Sequence, residues 1–257
     1  MLGLGNTLSG GIVPAATASF TNTYSLDFDG VDDYVDLGDS DVFSLGDGSD
    51  DSAFSISLWY KLSDVTNSPL ITKAGASSPE REWYLSFGSN DKIYFGCTDA
   101  SVGKSIYIYS AALTSTEGSW THLVVTYDGS EHPSGQKMYI NGSAVSVTEK
   151  DNATYVAMEN TAYDVSIGAF QALSKYATGN IDEVAIFNAE LSAAEVTAVY
   201  NGGAPTDLSS ESNLVGYWRM GDGATYPTIP DDSSNSNDGT MTNMTSGDIV
   251  TDVPSGG

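Results

Sequence analysis

Short stretches in which large apolar residues alternate with polar ones recur along most of this chain, separated by Gly, Asp, Asn or Ser. A period of two places successive side chains on opposite faces of a strand, so each stretch predicts a half-buried strand. Tyr24–Phe28 reads this way, with a turn at Asp29-Gly30 and a return strand over Asp33–Leu37. Phe54–Tyr60 follows with large residues at alternate positions. Pro69–Lys73, Trp83–Phe87 and Lys92–Cys97 predict a meander. In Lys104–Tyr109, Ile106 and Ile108 face one way and Tyr107 and Tyr109 the other. Trp120–Tyr127 is the most apolar run. Asn141-Gly142 joins Lys137–Ile140 to Ala144–Val147 as a two-residue hairpin turn of type I′. Asp164–Gly168 and Gly179–Phe187 complete the set.

One segment changes period. After the apolar strand containing Ile181, Val184, Ile186 and Phe187, Ser192 precedes Glu195 by three residues. That spacing predicts a capping box and a short helix, ended by Asn201-Gly202-Gly203. Val196, Val199 and Tyr200 share one helix face, which is expected to plug an end of the sheet structure. About a dozen short strands and a single helix predict an all-β fold, a two-sheet antiparallel jelly-roll sandwich with one short helix. Trp59 and Trp120 are the expected core anchors, and Tyr139 a structural residue beside the hairpin.

Composition narrows the function. A length of 257 residues suits one large β domain, alone or with an appendage. With 9 basic against 34 acidic residues the formal net charge is -25. Few cations remain to neutralise phosphates, so nucleic acid is not an expected partner, nor is an anionic membrane. Divalent cations or a salty surrounding suit such a charge better. Cys97 is the one cysteine, in an apolar strand, and reads as a small buried hydrophobe. No run approaches the roughly 18 apolar residues of a membrane span. Residues 1–23 lack the basic start and apolar core of a signal peptide and read either as a Gly- and Ser-rich extended arm or as a disordered leader.

Four motifs occur in order: YSLDFDGVDDYVDLG (24–38), FSISLWYKLSD (54–64), GSWTHLVVTYDGS with KMYINGSAV (118–145), and VSIGAF with GNIDEVAIFNAELSAAEVTAVYNGG (165–203). Together they resemble the concanavalin A-like, laminin-G-like (LamG) jelly-roll domain over residues 24–203. The resemblance implies two stacked curved sheets and a role in adhesion, glycan binding or assembly. It also implies one structural calcium ion joining an early loop to the last long strand, at the positions of Asp29, Gly30 and Asp182. Residues 204–257 form a C-terminal segment that starts with a linker. Its stretch 213–244 is similar to one that precedes the first strand in ordinary family members. Either it completes the same sandwich, as in a circular permutation, or it adds to a neighbouring subunit. The LGLGN start and YWRMGDG…NSNDGTMTNM end are more loosely similar to virion proteins of marine tailed bacteriophages.

Catalysis is not expected. Related glycoside hydrolases place two carboxylates on one strand face, roughly 5 to 10 Å apart. Here Asp182 and Glu183 are adjacent and should point to opposite faces. His122 reads as a packed side chain, and neither it nor His132 lies near a nucleophile motif. One Cys and two separated His make no zinc site. The Asp231–Asp238 run reads as a solvated turn. Glycan binding needs exposed aromatics beside polar groups, and Trp83, Tyr84, Tyr107 and Tyr109 are the candidates. The expected role is a non-enzymatic structural or adhesive virion component, with other virion proteins, copies of itself or a surface glycan as partners. The alternative is a carbohydrate-binding module of a secreted or cell-surface bacterial protein.

Overall fold

The computed structural model describes residues 20–255, with only the side chain of Ser78 left aside. The arm expected over residues 1–23 therefore lies outside the described residues up to residue 19.

Two large antiparallel sheets form the body. Across the eight-stranded first sheet run Ser143–Ala144, Gln136–Ile140, Thr121–Tyr127, Phe54–Leu62, Thr178–Phe187, Ser25–Asp29 and Ile249–Val250, with Leu214–Trp218 also paired to Thr178–Phe187. The nine-stranded second sheet runs Thr148–Lys150, Lys104–Ala112, Lys92–Asp99, Arg81–Phe87, Pro69–Ala74, Val165–Ile167, Tyr34–Asp36, Gly239–Thr242 and Thr228–Ile229. Leu26, Phe54, Ile56, Leu58 and Tyr60 of the first sheet and Trp83, Leu85, Phe95, Ile106 and Ile108 of the second belong to one buried core. Their removal from water is the main stabilising term of such a sandwich.

The chain after the helix returns to both sheets. Trp218 pairs with Val184, Thr240 with Asp36, and Ile249 with Leu26. Trp218 is fully buried, its Nε1 donates to the Asn237 carbonyl at 2.9 Å, and its ring lies 5.9 Å from Phe43.

Three local expectations are corrected. Asp29-Gly30 does not close a hairpin, because Ser25–Asp29 and Tyr34–Asp36 belong to different sheets. Leu26, Phe28 and Val35 all face the core, so the chain must cross between layers rather than fold back within one. Gly30 adopts φ 78° there, and a Cβ on it would collide with Thr178. The helix Ala193–Tyr200 carries the predicted capping box of Ser192 and Glu195. It covers the outer face of the first sheet instead of plugging an end: Val196 packs with Val124, Tyr139, Ala185 and Phe187 in a second, smaller core. Trp120 is half-buried and donates to Asp252 at 2.9 Å, so it is no core anchor. Trp59 is buried, but beside His122 at 4.8 Å and Tyr200 at 5.8 Å, outside the main core. The tryptophans of the main core are Trp83 and Trp218.

Candidate functional site

Alternation in three neighbouring strands of the second sheet builds one aromatic face. Trp83, Leu85, Ile93, Phe95, Ile106 and Ile108 point into the core, so the residues between them point out. Tyr84, Tyr94, Tyr107 and Tyr109 are the outward residues, and all four are half-buried. Two rows cross the strands. Tyr84 pairs with Gly96, Gly96 with Tyr107, and Tyr107 with Lys150; Ser86 pairs with Tyr94, and Tyr94 with Tyr109. The Tyr94 and Tyr109 rings stack at 5.3 Å between centroids, and Tyr107 lies 6.1 Å from Tyr94. Offset stacking of this kind adds roughly 0.5–1.5 kcal/mol per pair beyond burial and holds the rings as a fixed surface.

The face has a polar rim. Lys92 Nζ lies 4.7 Å from the centre of the Tyr109 ring. The Arg81 guanidinium lies 5.1 Å from Phe170 and 5.9 Å from Tyr84. Asn90 donates to the Tyr94 hydroxyl at 3.0 Å, and Lys175 donates to Asn67 at 3.0 Å. Between Tyr84, Tyr94, Phe170 and Lys175 opens a shallow cleft of 180 Å³.

Of the four candidates, Tyr84, Tyr107 and Tyr109 lie on this one face, while Trp83 is corrected. It faces the opposite side of its strand, is wholly buried, and donates from Nε1 to the Phe43 carbonyl at 2.9 Å. Tyr94 was missed by sequence reasoning, although KIYFGC carries the same alternation as SIYIYS. Phe170 and Lys175 arrive from the pair Ala169–Phe170 and Lys175–Tyr176 packed beside the sheet, for which no local sequence signal exists.

The predicted calcium positions are not brought together. Asp29 pairs with Thr178, so Asp182 stands four residues further along that strand, roughly 13 Å away. Asp182 is fully buried and already accepts from Asn22 Nδ2 at 2.7 Å and from the Glu183 amide at 2.8 Å. Asp29 instead meets Asp32 and Asp33, with one carboxylate oxygen of each within 4.8 Å of the others. Asp29 Oδ1 accepts from the Val31 amide at 2.8 Å and Asp33 Oδ2 from the Asp29 amide at 3.1 Å, which leaves the remaining oxygens available. Burial pushes the Asp33 carboxyl up to about 6, and the neighbouring Asp29 charge adds to this. A set of carboxylate oxygens is the donor chemistry of a hard cation. By contrast, Asp231 spends its oxygens on Tyr217 N, Ser233 N and Asn237 N at 2.8–2.9 Å, a turn built on internal donors.

The expected opposite orientation of Asp182 and Glu183 is also corrected. The register shifts between Asp182 and Ala185, and Glu183 takes φ 49°. A bulge of this kind breaks the period of two and lets both carboxylates be buried. Glu183 accepts from the Tyr217 hydroxyl and lies 3.4 Å from Arg219 Nε. Arg219 in turn donates to Thr21 O at 2.6 Å and stacks on Phe20 at 4.4 Å. Burial raises the pKa of both acids, Glu183 up to about 7. His122 is buried against Ser57 at 2.9 Å, and burial pushes its pKa down to about 3, so it stays neutral.

Two stacked sheets with an aromatic outer face define a lectin-like β-sandwich. The profile of the Laminin_G_3 family, described as the concanavalin A-like lectin/glucanases superfamily, matches residues 29–197. The chain belongs to this family. Among solved structures, it is similar to a candidate carbohydrate binding protein from Bacteroides ovatus, with 17% identity, a TM-score of 0.58, and coverage of 91% of this chain and 62% of that one. The chain thus spans less than two thirds of that protein's length. It is also similar to the CBM40 of the Ruminococcus gnavus IT-sialidase, at 13% identity and a TM-score of 0.54, over 69% of this chain and 96% of that one. The same module bound to alpha2,6 sialyllactose matches at 14% identity, a TM-score of 0.53, 69% of this chain and 96% of that one. A comparison with curated proteins finds no match.

Proposed function

We propose that this protein is a non-enzymatic glycan-binding module whose binding surface is the Tyr84–Tyr94–Tyr107–Tyr109 face. The observation that carries the reading is the stacked, half-buried tyrosine group with Asn90, Lys92 and Arg81 at its rim. Sugar rings present C–H faces to aromatics and hydroxyls to polar groups, and this face offers both. The shallow cleft suits one edge of an extended oligosaccharide better than an engulfed small molecule. The CBM40 module of similar fold, also seen bound to sialyllactose, supports the same class of ligand. The non-enzymatic part is supported by Asp182 and Glu183, which are buried and engaged by Asn22, Tyr217 and Arg219.

The proposal includes a structural calcium ion held by Asp29, Asp32 and Asp33 at the crossing between sheets. There its two positive charges would offset most of the repulsion among three like charges. It also includes display on a phage virion, supported by the sequence likeness of the terminal segments. A secreted or cell-surface module would use the same face. A glycan array probed with the purified protein tests the reading. Specific binders that lose signal in Tyr94→Ala and Tyr107→Ala support it, and an array without binders overturns it.

A further inference from the structure

The few cations of this chain are sorted by place. Of 9 Lys and Arg residues, four are neutralised by carboxylates: Lys61 by Asp252, Lys73 by Asp39 and Glu82, Lys137 by Glu190, and Arg219 by Glu183 and Asp222. Among the described residues the remaining five, Arg81, Lys92, Lys104, Lys150 and Lys175, have no carboxylate within ion-pair distance. All five lie on the tyrosine-bearing sheet or on the short hairpin beside it. Lys150 pairs with Tyr107 in the ladder, Lys92 covers the Tyr109 ring, and Arg81 and Lys175 border the cleft. Lys104 begins the strand that carries Tyr107 and Tyr109 but shares the alternation of Ile106 and Ile108, so it lies at the edge of the sheet and not on the tyrosine face.

With 34 acidic side chains in the molecule, cations distributed without regard to function would find carboxylate partners. Leaving Arg81, Lys92, Lys150 and Lys175 unpaired around the tyrosine face costs the protein ion-pair stabilisation and creates a local positive field within a negative molecule. Of the two acids that flank Lys150, Glu149 pairs with Ile108 and so lies on the opposite side of its strand, and Asp151 lies 3.5 Å from His132 Nε2.

We infer that the tyrosine face selects an acidic glycan, carrying carboxylate or sulfate groups, over the neutral sugar of the same backbone. This rests on the glycan-binding reading above. The aromatic rings take the sugar faces, and Arg81, Lys92 and Lys150 take the anionic groups spaced along the chain.

The test is calorimetric titration with two matched pairs of probes. Oligogalacturonate is compared with its carboxyl-reduced form, and dextran sulfate with dextran. Each is titrated into the wild type, into K92Q/K150Q, and into K137Q, whose cation lies on the other sheet. The inference expects at least one acidic probe to bind about tenfold or more tightly than its neutral form, a few exposed charge pairs sufficing for that ratio. The preference should weaken with salt, vanish in K92Q/K150Q and persist in K137Q. Which pair shows it separates carboxylate from sulfate recognition. Equal binding of acidic and neutral forms overturns the charge inference and leaves the tyrosine reading standing. An equal loss in K137Q overturns it as well, since attraction would then be unspecific. Absence of binding by all four probes, together with an array without binders, overturns both.

Discussion

The Tyr84 ring occupies the space that a side chain on Gly96 would need: a Cβ built there meets Tyr84 Cζ and the hydroxyl oxygen at 2.5 Å. Gly96 therefore sets how closely Tyr84 lies on the sheet, and the Tyr84–Gly96–Tyr107 row depends on it. Gly96→Ala is expected to lift Tyr84 away, cost about 1–3 kcal/mol as overpacking, and weaken glycan binding several-fold. Denaturant titration and calorimetry on the same variant check both effects. Unchanged affinity would remove Tyr84 from the site.

The return of the C-terminal segment to its own sandwich makes Trp218 a core residue contributed from beyond the helix. Trp218→Ala should cost about 3–5 kcal/mol, the loss typical of a buried large aromatic. The midpoint of urea unfolding measures it. A loss below 1 kcal/mol would mean that Leu214–Trp218 is not part of the cooperative unit.

Glu183 holds its proton up to about 7 in the folded chain against an ordinary value of 4.5, because burial disfavours the carboxylate. Between those values the folded state binds more protons than the unfolded one. Stability therefore falls as pH rises through this window and levels off above it. Buried Asp182 acts in the same direction. Melting temperature should drop from pH 5 to pH 7.5, and Glu183→Gln should flatten the profile. An unchanged slope in the variant would assign the pH dependence to the general excess of acids.

At the crossing between sheets, Asp29, Asp32 and Asp33 repel one another unless a cation or a proton intervenes. Millimolar calcium should raise the melting temperature of the wild type by a few degrees, following the usual linkage of ligand binding to folding. Asp33→Asn should abolish that shift. Identical melting with calcium and with chelator would exclude the ion from this turn.

Period-two alternation carried most of the strands, and Ser192 with Glu195 marked the helix, because both are local codes. Tyr107 and Tyr109 were legible as outward residues for the same reason. Trp83 was misplaced because Trp83-Tyr84 offers two adjacent aromatics and only the register decides which one faces out. The bulge at Glu183 and the crossing at Asp29-Gly30 are tertiary events that a period of two cannot register. Arg81, Phe170 and Lys175 meet only through the packing of separate strands.

The central claim is that the tyrosine face binds glycan. Its most direct measurement is calorimetric titration of the strongest array ligand into the wild type and into Tyr94→Ala/Tyr107→Ala. Both side chains lie outside the core, so the fold should persist, with melting lowered only by the lost ring stacking. The account predicts an affinity loss of about tenfold or more, roughly 1.4 kcal/mol. Undiminished affinity in the double variant would contradict it and move the site elsewhere on the sandwich.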